Sequence, residues 1–478
     1  MKMIIGGRKV DASDKKVIEV VNPATYESLD TVPSATKEDV EKALDIAQEG
    51  KKIWAGTPQH ERSRILMKCA DIIEENKEEL AVLVCKDTGK SIKDARIETA
   101  SCSRIIRGFA ERANHLYGIT IPSSCPGLEN DIIYTRREPL GVVICIIPFN
   151  FPASTLAHKL AASLAMGNAV IVKPPSDNPL TDIRMTELFI EAGIPDSVIQ
   201  VITGSGPMIG KHFTSSPKVN AIFLTGSTAV GVVTSRDASQ HLQRVFLELG
   251  GNDALIIFED ADLELSVEEI IMGRISTGGQ ICAGSKRLLV QNSIKNEFTK
   301  MLIERLGKLR IGDPLDPMTD LGCLISEKAA IQVENQVKQT IEQGAKCIYG
   351  GKRFNRSFFE PTVLIDVRPD MDIAKDMEVF GPVMPIIGFE TPEEAVSIAN
   401  NSVYGLSGGV MTRDINKAMK VAANMESGAV VINGSGRYRS FDMAFGGYKM
   451  SGIGREGISV TLEELSQIKT IVLKKVLK

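Results

Sequence analysis

One cysteine stands apart from the rest. Cys282 lies in Gly278-Gly279-Gln280-Ile281-Cys282-Ala283-Gly284, a glycine-flanked loop, whereas the cysteines at 69, 85, 102, 125, 145, 323 and 347 fall in apolar or helical stretches. A thiol in a loop near a helix end can ionise and attack an electrophilic carbon. A lone cysteine is more often structural, so the loop by itself decides nothing. Three other segments carry groups that could serve such a nucleophile. Glu248-Leu249-Gly250-Gly251 puts a carboxylate after an apolar run, with two glycines for close backbone approach. That carboxylate is either paired with a cation or poised as a base. Asn150, inside Pro148-Phe149-Asn150-Phe151-Pro152, offers an amide donor for a developing oxyanion and equally suits capping of a following helix. Lys173-Pro174-Pro175-Ser176 ends another apolar run. Its lysine suits ribose hydroxyls at a sheet edge, or is simply solvated before a rigid turn.

Two glycine turns compete as a diphosphate site. Phe223-Leu224-Thr225-Gly226-Ser227-Thr228-Ala229-Val230-Gly231 ends a strand and opens a helix, whose free N–H groups attract phosphate. Gly204-Ser205-Gly206-Pro207-Met208-Ile209-Gly210 does the same and looks superficially closer to the dinucleotide fingerprint. A tight turn with no ligand answers either pattern. No C-x-x-C pair, H-E-x-x-H motif or close histidine pair occurs among the 8 cysteines and 5 histidines, so no metal site is expected.

These groups need a frame. The 478 residues imply several domains, and 43% hydrophobic with 24% charged residues is an ordinary globular balance. A net charge of −4 gives no basic excess for nucleic acid or an anionic membrane. The apolar run at 140–147 ends at Pro148, far short of the roughly 20 residues that span a bilayer. A cytoplasmic protein with reduced thiols is expected. Residues 36–115 read as helical, with amphipathic segments from 60 to 84 and 92 to 115 and Gly89 as a stop. Residues 119–138 read as extended chain around a turn at Pro126-Gly127. From there strands (140–147, 168–173, 199–202, 219–224, 244–248) alternate with helices (153–166, 180–192, 207–214, 228–238). This alternation predicts a parallel α/β sheet with ligands at the carboxyl ends of its strands. A second β/α series follows, with strands at 253–258 and 286–291 and helices at 263–275, 294–309 and 327–343. The apolar stretch 468–477 has the look of a strand with no partner in sequence, one that could pair with another subunit.

In this order and spacing the segments resemble the aldehyde dehydrogenase superfamily over essentially the whole chain. Further matching stretches are Glu378-Val-Phe-Gly-Pro382, Tyr404-Gly-Leu406 and Phe445-Gly-Gly-Tyr-Lys-Met-Ser-Gly-Ile-Gly-Arg-Glu456. The resemblance implies a Rossmann-like cofactor domain (1–115 and 139–249), an α/β catalytic domain (250–434) and a small β oligomerisation arm (116–138 and 460–478). Residues 435–459 return to the cofactor domain and the substrate entrance. It implies Cys282 as nucleophile, Glu248 as the base that activates water, and Asn150 with the Cys282 N–H as oxyanion donors. NADP or NAD would be held by Ile147, Pro148, Phe149, Lys173, Pro175, Ser176, Gly206, Thr225, Gly226, Ser227, Val230, Leu249, Glu378 and Phe380, favouring the 226–231 turn for the diphosphate. Phe151, Arg437 and Phe445 would line the substrate site. The partners implied are a small aldehyde and further copies of the chain, as a homodimer or homotetramer.

Departures from the family pattern narrow the substrate. Phe149 replaces the usual tryptophan, and Ala283 follows the nucleophile. Branches that use succinate semialdehyde often carry arginine at the positions of His158 and Ser276. Neither is arginine here, which counts against that substrate. Arg437-Tyr438-Arg439, in the late loop, could bind a carboxylate, phosphate or sulfonate, or could make structural contacts. Ser176 is neutral where an acid would repel a 2′-phosphate, which predicts NADP use. The expected substrate is a short hydroxylated or anionic aldehyde resembling lactaldehyde, glyceraldehyde phosphate or succinate semialdehyde. Two rival readings are a CoA-acylating enzyme, which Glu248 speaks against, and a non-catalytic binding or structural relative, which the joint presence of Cys282, Glu248 and Asn150 speaks against.

Overall fold

A computed structural model describes residues 1–477. Its larger sheet has the spatial order Arg8–Val10, Met3–Ile5, Ile199–Val201, Ala169–Lys173, Val142–Ile146, Ala221–Thr225, Arg244–Glu248 and Gly452–Ile453. The five strands from Ile199–Val201 to Arg244–Glu248 run parallel, and antiparallel Met3–Ile5 and Gly452–Ile453 flank them. Alternation along each strand sends side chains to two separate cores. Val143, Cys145, Val170, Val172 and Phe223 meet the helices Gln59–Glu75, Ile92–Ala113 and Pro152–Ala165. Val142, Ile144, Ile171 and Leu224 meet the helices Lys37–Gly56 and Gly206–Thr214. Burial on both faces is why these runs are almost uniformly apolar. The strands lie within about two residues of the sequence-based bounds, an ordinary tolerance for element ends.

The second sheet runs Lys346–Tyr349, Thr362–Ile365, Val383–Phe389, Arg287–Gln291, Ala254–Ile257, Gly408–Met411 and Val430–Ile432, parallel except for the first pair. The stretch 60–84 proves to be two helices. Asn76 bonds the Ile72 carbonyl through both its N–H and its Nδ2, at 3.1 and 2.7 Å, and its φ of −98° turns the chain into Lys77–Thr88. The stretch 263–275 is α-helical only to Ile270, then widens into a π turn at Ile271–Ile275 that leads towards Cys282.

The C-terminal strand does have a partner within its own chain. Ser466–Leu473 pairs antiparallel with Ile132–Pro139, and Thr120–Ile121 completes a three-stranded sheet. Local pattern showed no partner because over 300 residues separate the strands, although the family resemblance had grouped 116–138 with 460–478. The outer edge of Ser466–Leu473 stays open. Cys125, expected in apolar or helical surroundings, is exposed in the turn of this sheet. Among the described residues no helix is long and apolar enough to cross a membrane.

Candidate active site

Because the central strands are parallel, Ile147-Pro148-Phe149-Asn150, Lys173, Thr225-Gly226 and Glu248 all emerge at one sheet edge. Chain order reverses about Val142–Ile146, which has Ala169–Lys173 on one side and Ala221–Thr225 on the other, so a crevice opens there. Cys282 reaches this edge from the second sheet, in the loop before Arg287–Gln291. The loop's path requires left-handed backbone at Thr277 (φ 54°), Gly278 (φ 67°) and Gly279 (φ 71°). A Cβ on Gly279 would stand 2.5 Å from the Gly381 carbonyl carbon, so glycine is needed there for space as well as for φ.

Three contacts join the loops. Asn150 Nδ2 donates to the Gln280 carbonyl at 2.7 Å. A Cβ on Gly251 would lie 2.9 Å from the Cys282 carbonyl oxygen, and one on Gly446 would lie 2.9 Å from Glu248 Oε1. Cys282 packs on Ala283, Leu406 and Phe445. The sulfur, the carboxylate and the amide therefore share one cleft. Cys282 remains half-buried, unlike Cys69, Cys85, Cys102, Cys145 and Cys323, which are sealed in the interior.

Asn150 and Glu248 are buried, and the charges of the cleft respond to burial. Burial pushes the Cys282 thiol up to about 12, against the pull of Lys286, whose Nζ donates to the Cys282 carbonyl. Burial also raises Glu248 well above the usual carboxylate range, with the negative charge of Glu456 adding to it. Glu248 Oε2 has no hydrogen-bond partner. Glu456 goes the other way. Burial opposes its ionisation, but Lys159 and Arg439, joined by His158 once acid protonates that ring, outweigh it and hold Glu456 below the ordinary range. Its Oε1 accepts from Lys159 Nζ at 2.9 Å and its Oε2 from Arg439 Nη2 at 3.3 Å. Two carboxylates with oppositely displaced ionisation mark a place where protons can move. Lys159 and Glu456 had no role in the sequence-based site, and Arg439 entered it only as a contact for an anionic substrate. A lysine within the apolar helix Pro152–Ala165 was the available signal, because a fully buried ammonium requires an anion.

On the cofactor side, Lys173 Nζ donates to Ser176 Oγ at 3.2 Å, and Ser176 Oγ donates to the Gly204 carbonyl at 3.2 Å. Both candidate glycine turns thus border the same edge. Burial lowers Lys173 to about 8. Ser227 caps the helix Thr228–Ala238, and the Thr225 Oγ1 beside it is buried without a partner. Val230 is 51% exposed on the first turn, an apolar surface with nothing over it. Gly231 has a packing role, since a Cβ there would fall 2.5 Å from the Leu249 side chain. The Phe149 and Phe380 rings meet edge to face with centroids 6.0 Å apart. Glu378 Oε1 takes the Gly251 N–H and the Lys286 ammonium, each at 3.0 Å. Gly206 opens the helix Gly206–Thr214 beside free space, where a Cβ would meet nothing within 4 Å. An orphaned hydroxyl, an open helix start and a bare apolar turn suit a dinucleotide.

The two late arginines differ in their surroundings. Arg437 Nη1 is spent on the Met272 carbonyl at 2.6 Å. Arg439 stacks its guanidinium 3.5 Å from the centre of the Phe445 ring and commits only Nη2, to Glu456. His158 is buried between Phe109 and Phe223, and burial lowers it to about 4, so it is a neutral ring at neutral pH.

A profile of the aldehyde dehydrogenase family matches residues 9–471. The chain is 37% identical over 475 residues to a lactaldehyde dehydrogenase of Methanococcus maripaludis strain C7, covering 98% of this chain and 99% of the relative. A lactaldehyde dehydrogenase of Methanococcus aeolicus is 39% identical over 475 residues, with the same coverage. Among solved structures, a betaine aldehyde dehydrogenase of Staphylococcus aureus in complex with NAD+ is 35% identical and superposes with a TM-score of 0.96 over 100% of this chain and 95% of that one. An NADP dependent enzyme of E. coli, 34% identical, also gives 0.96 over 99% of this chain and 98% of its own. The chain belongs to the aldehyde dehydrogenase family, as an NAD(P)-dependent oxidoreductase acting on the aldehyde group.

Proposed function

We propose that the protein oxidises a short hydroxylated or anionic aldehyde of the lactaldehyde kind to the free acid, using NADP and also NAD. The observation that carries this is the meeting of Cys282, the Gln280-anchored amide of Asn150 and the unpartnered Glu248 Oε2 in one cleft. Cys282 gives up its thiol proton to water and its Sγ adds to the aldehyde carbon, giving a thiohemiacetal oxyanion. The oxyanion is held by the second N–H of Asn150 and the Cys282 N–H, neither of which has an acceptor among the described residues. The nicotinamide of NAD(P), when bound, supplies the hydride acceptor. Ile147, Pro148, Phe149 and Leu249 would flank it, with Lys173, Pro175, Ser176 and Glu378 on ribose and the Gly226 turn on the diphosphate. Collapse of the tetrahedral carbon leaves a thioester on Cys282. Glu248 then takes a proton from water, whose hydroxide cleaves the thioester. A carboxylate so placed supports water rather than CoA as acyl acceptor.

For substrate selection we favour Arg439 over Arg437, the arginine expected from the resemblance. Arg439 has free guanidinium N–H groups beside Phe445, which packs on the sulfur. A panel of aldehydes run with both cofactors tests these assignments. Hydroxylated and anionic aldehydes should exceed unsubstituted ones of equal length in kcat/KM, and Arg439→Met should erase about 10- to 100-fold of that preference, the value of a charge-assisted hydrogen bond. Equal loss on all aldehydes would remove Arg439 from recognition. A strict requirement for NAD would overturn the inference from Ser176.

The division into cofactor domain, catalytic domain and arm is retained as part of the proposal. It is supported by Gly452 pairing with Glu248, which returns 435–459 to the first sheet. The open edge of Ser466–Leu473, with Ile468 and Val472 exposed on that strand, fits association with further copies of this chain. Light scattering should give a dimer or tetramer, and a monomer at micromolar concentration would refute it. Reduced cysteines, including the exposed Cys125, fit a cytoplasmic setting.

A further inference from the structure

The helix Ile92–Ala113 lies outside the cleft, yet its start and the residues just before it hold both catalytic loops. Lys90 and Glu98 form an ion pair with each side chain 1% exposed. Lys90 Nζ also donates to the Asn150 carbonyl at 2.6 Å and stands 4.3 Å from the centre of the Phe151 ring. Glu98 Oε1 accepts the Ser154 N–H at 3.1 Å, at the start of the helix that follows Asn150. One turn away, Asp94 Oδ2 accepts the N–H of Thr277 at 2.8 Å. Thr277 is the β-branched residue at φ 54°, a conformation that persists only when its surroundings impose it.

We infer that Lys90 and Glu98 are positioning residues: by gripping the backbone on both sides of Phe151 they aim the Asn150 amide at the site of the oxyanion. A buried ion pair is a weak way to stabilise a fold, because apolar residues of similar volume often serve as well or better. Its geometric effect is specific. With the Asn150 carbonyl on Lys90 and Nδ2 on the Gln280 carbonyl, both ends of the residue are pinned. Gln280 presents only an oxygen at that point, so the amide nitrogen must face it and the second N–H is directed away from that bond. Asp94 fastens the Cys282 loop to the same turn, so one rigid element sets the spacing of donor and nucleophile.

The inference rests on Asn150 being the oxyanion donor, and the experiment separates the two. Lys90→Met should lower kcat for aldehyde oxidation by about 10- to 100-fold, the cost of a misaimed group. Alkylation of Cys282 by iodoacetamide, which needs no oxyanion donor, should keep its rate within about twofold, as should NADP affinity measured by fluorescence titration. Adding Lys90→Met to Asn150→Ala should cost no more than about threefold beyond Asn150→Ala alone, since both act through one amide. If Lys90→Met leaves Glu98 too costly to bury, Lys90→Met with Glu98→Leu carries the same expectations. Wild-type turnover in these variants overturns the clamp, as does a parallel fall in alkylation and NADP binding, or full additivity with Asn150→Ala. An Asn150→Ala enzyme that turns over normally overturns the oxyanion assignment itself.

Discussion

Replacing Cys282 by alanine is expected to lower aldehyde oxidation by roughly 10⁴-fold or more, the scale of losing an enzyme nucleophile, while NADP binding stays intact. The loss is large because an aldehyde is a poor hydride donor until a nucleophile makes its carbon tetrahedral. None of the other sulfurs can substitute. Cys69, Cys85, Cys102, Cys145 and Cys323 are buried in the cores, Cys125 lies in the arm, and Cys347 is on the strand Lys346–Tyr349 at the edge of the second sheet. Cofactor binding should survive because alanine removes only the sulfur. The loop stays anchored by the Asn150 amide on the Gln280 carbonyl and by Lys286 on the Cys282 carbonyl. Steady-state rates beside a fluorescence titration with NADP decide the matter. Persisting turnover would refute covalent catalysis by this residue.

Glu248→Gln should separate the two halves of the reaction. Hydride transfer precedes the need for a base on water, so the variant should release about one equivalent of reduced cofactor per active site in a burst. It should then turn over about 10²- to 10⁴-fold more slowly, the usual contribution of a general base. A trapped acyl group on Cys282 should be visible by mass spectrometry of the quenched enzyme. The pH profile gives a second readout. Burial and the Glu456 charge raise Glu248, so its basic form is gained only as pH climbs through a value above the ordinary carboxylate range. Wild-type kcat should rise across that interval while deacylation limits the rate, and the glutamine variant should lose that limb. Unchanged steady-state turnover with no acyl-enzyme would exclude Glu248 as the base.

Much of this was available from local pattern. Val142–Ile146, Ala169–Lys173, Ala221–Thr225 and Arg244–Glu248 are short apolar runs ending in chemically distinctive residues. A parallel sheet follows from their alternation with helices, and a shared functional edge follows from the parallel sheet. The glycines after Glu248 likewise announced close approach, which Gly251 bears out through the atoms a side chain would strike.

Contacts between remote segments were not available, because nothing in neighbouring residues encodes them. Lys159 meets Glu456 across 297 positions and Lys90 meets Asn150 across 60. Ser466–Leu473 finds its partner strand, Ile132–Pro139, only when segments more than 300 residues apart are folded together. Types and spacing along the polymer determined the kinds of group present and the sheet that carries them. Tertiary packing decided which buried charges face one another, and hence that Glu248 ionises less readily than an ordinary carboxylate while Glu456 ionises more readily. The physical reason is that ionisation depends on the dielectric and charge surrounding a group in space, and those are properties of the assembled interior.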